Sequence, residues 1–150
     1  EVGKAFGGAI HSNWIAGATL VPIPPSKAKA DPMYDDRMLR MLRAIPASQP
    51  LDIRELIVQQ NSMSAAHDAD ARPTPDDIAA GYHVDEQLTV PTPSQIAIFD
   101  DVMTTGAHFV AARRVLAARF PQASIFGFFI ARRVPETTDF SEFLDDLDDI

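Results

Sequence analysis

Ile96-Ala97-Ile98-Phe99 is the segment that most narrows the folds open to this chain. Successive side chains of a strand point to opposite faces, so four apolar residues in a row must be covered on both sides. That requirement belongs to the interior of a parallel sheet with helices on each face. The run ends at once in Asp100-Asp101, and Thr104-Thr105-Gly106 then turns the chain into a helical pattern. A buried strand, an acidic end and a helix start therefore occur within a dozen residues.

The rest of the chain repeats this alternation. Ala18 to Ile23 is a short apolar run halted by Pro24-Pro25, which predicts a strand and a forced loop. Asp31-Pro32 has the form of an N-cap with proline in the first turn. Behind it Tyr34, Met38, Met41, Leu42 and Ile45 share one helical face. Ile53 to Gln59 is expected to be a second strand, and Asn61 to Pro75 a long polar loop. Thr74 caps a short helix through Ala80, and Tyr82 to Val84 forms a brief strand. Thr105 to Phe120 is a helix with Phe109, Ala112, Leu116 and Phe120 on one face, and Ser124 to Ile130 is a last strand. Asp139 starts a short helix from Phe140 in capping-box fashion. The order β-α-β-α-β predicts an α/β domain with a central, mostly parallel sheet flanked by helices. Ligands of such sheets bind at the carboxyl ends of the strands.

Length and charge limit what this domain does. At 150 residues the chain is expected to form a single domain, 1–150, with a core at about 19–133 and an acidic tail at 134–150. It has no cysteine, which excludes disulfides, thiolate metal sites and a cysteine nucleophile. No apolar run approaches the ~20 residues of a membrane span, and no signal peptide is visible, so the expected address is cytoplasmic. The chain begins at Glu1 rather than Met, as a trimmed N-terminus would. Of the net charge of −8, the seven acidic residues after Arg133 carry −7, leaving −1 on the body. A near-neutral body argues against nucleic acid as a partner. His11, His67 and His83 show no metal spacing, and Trp14 and the methionines sit at packing positions.

The chemistry is concentrated in Asp100 to His108. Two adjacent carboxylates at the end of a buried strand repel each other and resist desolvation, so a ligand is the reason to place them there. Carboxylates only accept hydrogen bonds, and two of them suit a vicinal diol such as the hydroxyls of a ribose. Thr104, Thr105, Gly106, Ala107 and His108 then offer hydroxyls and unpaired N–H groups at a helix start, which suits a phosphate. Diol acceptors followed by a phosphate cradle describe a reader of ribose 5-phosphate.

Ile96 to His108, IAIFDDVMTTGAH, resembles the thirteen-residue phosphoribosyl-pyrophosphate motif of type I phosphoribosyltransferases. The wider pattern is similar to the competence-protein-F-like branch of that family. There a Val-Pro-x-Pro strand end leads to a basic loop, as Val21-Pro22-Ile23-Pro24 leads to Lys27 and Lys29, and Gly81-Tyr82 matches a Gly-aromatic pair. The resemblance spans about Thr19 to Arg133. It implies a type I phosphoribosyltransferase-like fold with a small hood, and often a homodimer. It implies that Asp100 and Asp101 hold the ribose hydroxyls and that Thr104 to His108 hold the 5-phosphate. Ser26, Lys27, Lys29 and Arg72 would meet the pyrophosphate. Mg²⁺ would arrive on the substrate, with no direct protein ligand. The implied reaction is transfer of the phosphoribosyl group from phosphoribosyl pyrophosphate to a nitrogen of a base or amine, with release of pyrophosphate.

The chain departs from that family in three places. His108 stands where threonine or serine is usual, the N-terminal zinc-finger cysteines are absent, and Asn61 to Asp70 holds no basic residue. The last departure leaves a second expectation from another class, a non-catalytic ribose-phosphate or nucleotide-binding module with a regulatory role.

Overall fold

The computed structural model describes residues 1–62 and 73–133. Two short helices, α1 (Val2–Ala9) and α2 (Ser12–Ala16), lead into β1 (Thr19–Pro22), followed by α3 (Arg37–Arg43). Then come β2 (Asp52–Ile53), β3 (Ile57–Gln59), α4 (Pro75–Gly81), β4 (Tyr82–Val84) and a 3₁₀ turn at Glu86–Leu88. The chain continues through β5 (Gln95–Met103), α5 (Ala107–Arg119) and β6 (Ser124–Arg132).

Four strands form one parallel sheet in the order β2-β1-β5-β6, with Leu20 opposite Ala97 and Phe99 opposite Phe128. Strands β3 and β4 pair antiparallel beside it, Gln59 opposite Tyr82. The continuous apolar run of β5 is used as its sequence requires. Ile96 and Ile98 join Val21, Ile23, Ile78, Leu116 and Phe120 on the face covered by α4 and α5. Ala97 and Phe99 join Leu20, Phe6, Ile15, Met38 and Leu42 on the face covered by α1, α2 and α3. Full burial of a Leu, Ile or Phe side chain contributes roughly 1.5–3 kcal/mol, so this two-sided cover is the main source of stability. Trp14 packs edge-on against Phe126 and beside Phe128, as a packing residue rather than a cover for the strand ends.

The helix at 74–80 forms as its sequence predicts. Thr74 Oγ1 accepts from the Asp77 N–H while the Asp77 carboxylate accepts from Thr74 N–H, a complete capping box. Other boundaries differ. The helix expected from Asp31-Pro32 begins only at Arg37. Asp31 Oδ1 instead accepts from Met33 N–H and its carbonyl from Tyr34 N–H, which closes a turn, and Asp35 Oδ1 takes Arg37 N–H. Tyr34 leaves the helical face, and its hydroxyl donates to Glu55 at 2.9 Å. The strand expected over Ile53–Gln59 is two strands in two sheets. Arg54 N–H still bonds the Leu20 carbonyl, but its guanidinium reaches Asp52 and the carbonyls of Leu88 and Pro91, and the chain turns off the sheet there. The expected helix from Phe140 lies outside the described residues.

Helix α1 meets the end of α3 through Gly3. A Cβ there would lie 2.7 Å from the Met41 carbonyl oxygen and 2.8 Å from the Ala44 carbonyl carbon, both backbone atoms. Gly3→Ala is expected to lose about 1–3 kcal/mol to overpacking, against at most ~1 kcal/mol gained in helix propensity. Thermal unfolding should show a lower midpoint. A raised midpoint would mean that α1 does not sit this close to α3.

Candidate functional site

The sheet order reverses between β1 and β5: the chain leaves β1 for β2 on one side and β5 for β6 on the other. Diverging connections leave a crevice at the carboxyl ends of those two strands, where doubly wound proteins bind ligands. A cleft of about 190 Å³ lies there. Its walls include Pro24, Pro25 and Ser26 after β1, Asp35 and Arg37 at the start of α3, Asp100 and Asp101 on β5, and His108 on α5.

The acidic pair does not follow the strand as the sequence reading placed it. Strand β5 runs on through Asp100, Asp101 and Val102 to Met103, paired with β6 as far as Arg132. Strand alternation gives the two carboxylates different neighbours, although both line the one cleft and the Asp101 charge helps to raise the Asp100 pKa. Asp100 takes the side of Ile98 and faces Tyr82, whose phenol burial and the nearby Asp100 charge hold well above its ordinary pKa. Asp101 takes the side of Phe99 and receives a hydrogen bond from the Arg37 guanidinium at 2.6 Å. Each carboxylate also accepts from the next backbone N–H, Asp100 from Asp101 and Asp101 from Val102, both at 2.8 Å. Burial pushes the Asp100 carboxyl up to about 6, against the pull of the Asp101 N–H bond.

His108 stands in the first turn of α5, and its Nδ1 lies 2.8 Å from the Tyr82 hydroxyl. Burial lowers its pKa, opposed by the Asp101 charge, so the ring is neutral near pH 7. In the Nε2–H tautomer Tyr82 donates to Nδ1 and the ring keeps a donor for the cleft. The helix start beside it is open. Gly106, at φ +77°, is the N-cap, a left-handed conformation that other residues adopt at a cost, and it brings no capping side chain. Only a long 3.4 Å bond from Ala107 N–H to Thr105 Oγ1 covers this turn. Thr104 and Thr105 are exposed at the same corner. Uncapped N–H groups at the positive end of a thirteen-residue helix favour an anion.

The other residues singled out in the sequence divide. Ser26 lines the cleft. Lys29 turns away to Glu55 at 3.1 Å, and Lys27 does not line the cleft. Arg72 lies outside the described residues. Three residues the sequence reading passed over belong to the site: Asp35, Arg37 and Tyr82. Tyr82 was visible only as half of a Gly-aromatic pair. Arg37 and Asp35 were hidden by the expectation of a helix running through them, whereas Asp35-Asp36-Arg37 marks the turn before it. Among the described residues no three His, Asp or Glu side chains are grouped to hold a metal ion, and no helix is long and apolar enough to cross a membrane. Compared with known proteins, the chain matches no family model and no curated protein.

Asp100 makes stability depend on pH. The folded chain keeps that proton up to about pH 6, while an unfolded aspartate releases it near 3.8. The folded state thus binds the extra proton in that window, and its stability falls as pH rises through it. Asp100→Asn removes the dependence. It is expected to exceed the parent by about 1–2 kcal/mol near neutral pH, solvent screening reducing the full linkage, and to lose that margin toward pH ~4. Denaturant titrations at the two ends of the range test this, and parallel curves for both proteins would remove Asp100 as the source.

Proposed function

We propose that the cleft binds the ribose 5-phosphate end of phosphoribosyl pyrophosphate and that the chain is a Mg²⁺-dependent phosphoribosyltransferase of type I-like fold. The observation that carries this reading is the corner where β5 meets α5. Two carboxylates and a neutral imidazole converge on one cleft at the sheet's reversal point, and an uncapped helix N-terminus follows directly. Asp100 and Asp101 accept from the ribose hydroxyls, and Thr104 to His108 hold the 5-phosphate through hydroxyls, N–H groups and the His108 donor. Ser26 sits on the pyrophosphate side.

The residues fit Mg²⁺ as a passenger of the substrate. Ser26, Asp35, Asp100 and Asp101 on the cleft wall are hard oxygen donors that would suit the ion's waters, with no grouped set of three protein ligands among the described residues. Bound with pyrophosphate, Mg²⁺ would supply charge neutralisation on the leaving group. In the reaction a nitrogen lone pair forms the bond to the anomeric carbon as its bond to pyrophosphate oxygen breaks, and the electron pair leaves with pyrophosphate. The protein contributes positioning and electrostatic stabilisation.

The alternative, a ribose-phosphate or nucleotide-binding regulatory module, draws on the lack of basic residues from Asn61 to Asp70. Calorimetric titration of phosphoribosyl pyrophosphate, ribose 5-phosphate and phosphate with Mg²⁺ tests the shared binding step. Pyrophosphate release with a panel of bases and amines separates the two readings. Asp100→Asn with Asp101→Asn is expected to stay folded and to weaken ribose 5-phosphate about 100-fold, the worth of two charge-assisted hydrogen bonds. A double variant that binds as tightly as the parent would remove the diol role of the carboxylates.

A further inference from the structure

We infer that Arg37 is the anion receptor of the cleft: paired with Asp101, it turns its guanidinium to a pyrophosphate group when one enters. The inference rests on the reading of the cleft as a phosphoribosyl pyrophosphate site and names a residue that neither the motif nor the basic loop supplies.

Charge accounting leads to it. Of the described residues lining the cleft, Asp35, Asp100 and Asp101 are acidic and Arg37 alone is cationic. The remaining described arginines with fixed partners are committed elsewhere. Arg54 is held by Asp52 and two carbonyls, Arg40 by Asp36, Arg114 by Asp76 and Arg119 by Glu86. Lys29 is turned to Glu55. Among the described residues of the cleft wall, an anionic ligand therefore meets a single cationic side chain.

Arg37 is built to serve that ligand. Its backbone is fixed by the Asp35 Oδ1 bond at 3.0 Å and by Met38, the next residue, which is 7% exposed in the core. The side chain beyond is free to move, with 60% of its surface exposed. A guanidinium has five N–H donors in a planar fork. One is spent on Asp101 at 2.6 Å, and Asp35 stands at 3.6 Å from Nε, beyond hydrogen-bond length. Unused donors thus face the cleft while the charge is balanced by Asp101. A doubly bound phosphate is the better partner for such a fork. The exchange also releases Asp101, whose acceptor oxygen becomes available to a ribose hydroxyl at the moment the anion arrives.

The simpler role is a counter-ion that does nothing except neutralise Asp101. A double-variant cycle separates the two. Binding of inorganic pyrophosphate with Mg²⁺ is measured calorimetrically for the full chain, Arg37→Gln, Asp101→Asn and the combination, with ribose 5-phosphate as a second ligand. Direct contact predicts that Arg37→Gln weakens pyrophosphate about tenfold or more in both backgrounds, the size of a lost charge-assisted hydrogen bond. Arg37→Lys should recover part of the loss. If the loss vanishes once Asp101 is Asn, or never occurs, Arg37 is only a counter-ion and the inference falls. If the full chain binds pyrophosphate through Arg37 but not ribose 5-phosphate, the inference stands while the phosphoribosyl reading fails. If it binds neither, both fail.

Discussion

Parallel pairing of β1 with β5 is the constraint on which the rest of the structure depends. These two strands are distant in sequence and gain nothing from a short turn, so their contact must be held by what covers them. The cover is supplied from both sides. Val21 and Ile98 look toward α5, and Leu20 and Ala97 look toward α1 to α3. Because the connections leave in opposite directions, the same pairing that builds the core also opens the cleft at its end. Core and site are consequences of one strand contact.

The strand's alternation then decides the character of the site. Adjacent carboxylates read from sequence as a matched pair, but on a continuing strand they line one cleft with different neighbours. Asp100 is sent toward the buried side, where desolvation favours its proton, and Asp101 toward α3, where it pairs with Arg37. The two carboxylates still feel each other, since the Asp101 charge helps to hold the Asp100 proton, and each is supported by a neighbouring N–H. One carboxyl that holds its proton near pH 6 beside one that is salt-bridged can present both a donor and acceptors to a diol in mildly acid solution.

Much of the fold was legible because it rests on local signals. The apolar run at 96–99, the Thr74 capping box and the one-sided apolar face of α5 each report burial or capping through residues close in sequence. The failures share a cause as well. Asp31-Pro32 satisfies the rules for a helix start and for a turn equally, and only the side-chain bonds to Met33 and Arg37 decide between them. Ile53 to Gln59 reads as one strand because the reason for its break, Arg54 reaching the carbonyls of Leu88 and Pro91, lies more than thirty residues away. In the site, Asp100 to His108 could be found because it is contiguous. Asp35, Arg37 and Tyr82 could not, since they meet the motif only through the sheet's packing.

Electrostatics gives the arrangement its direction. Among the described residues the cleft carries three carboxylates and one guanidinium, a poor receptor for a polyanion on its own, because an anion brought in opposes charge already there. The favourable elements are the N-terminus of α5, whose partial charge acts over about one turn, and whatever cation accompanies the ligand. Phosphate at the helix start and metal-bound pyrophosphate across the cleft would each meet the sign of charge they need, while a bare polyanion would not. On the proposed reading, the ligand is anionic at one end, neutral and hydroxylated in the middle, and cation-bound at the other. A ligand of that kind would need few basic residues, in keeping with the near-neutral body of the chain.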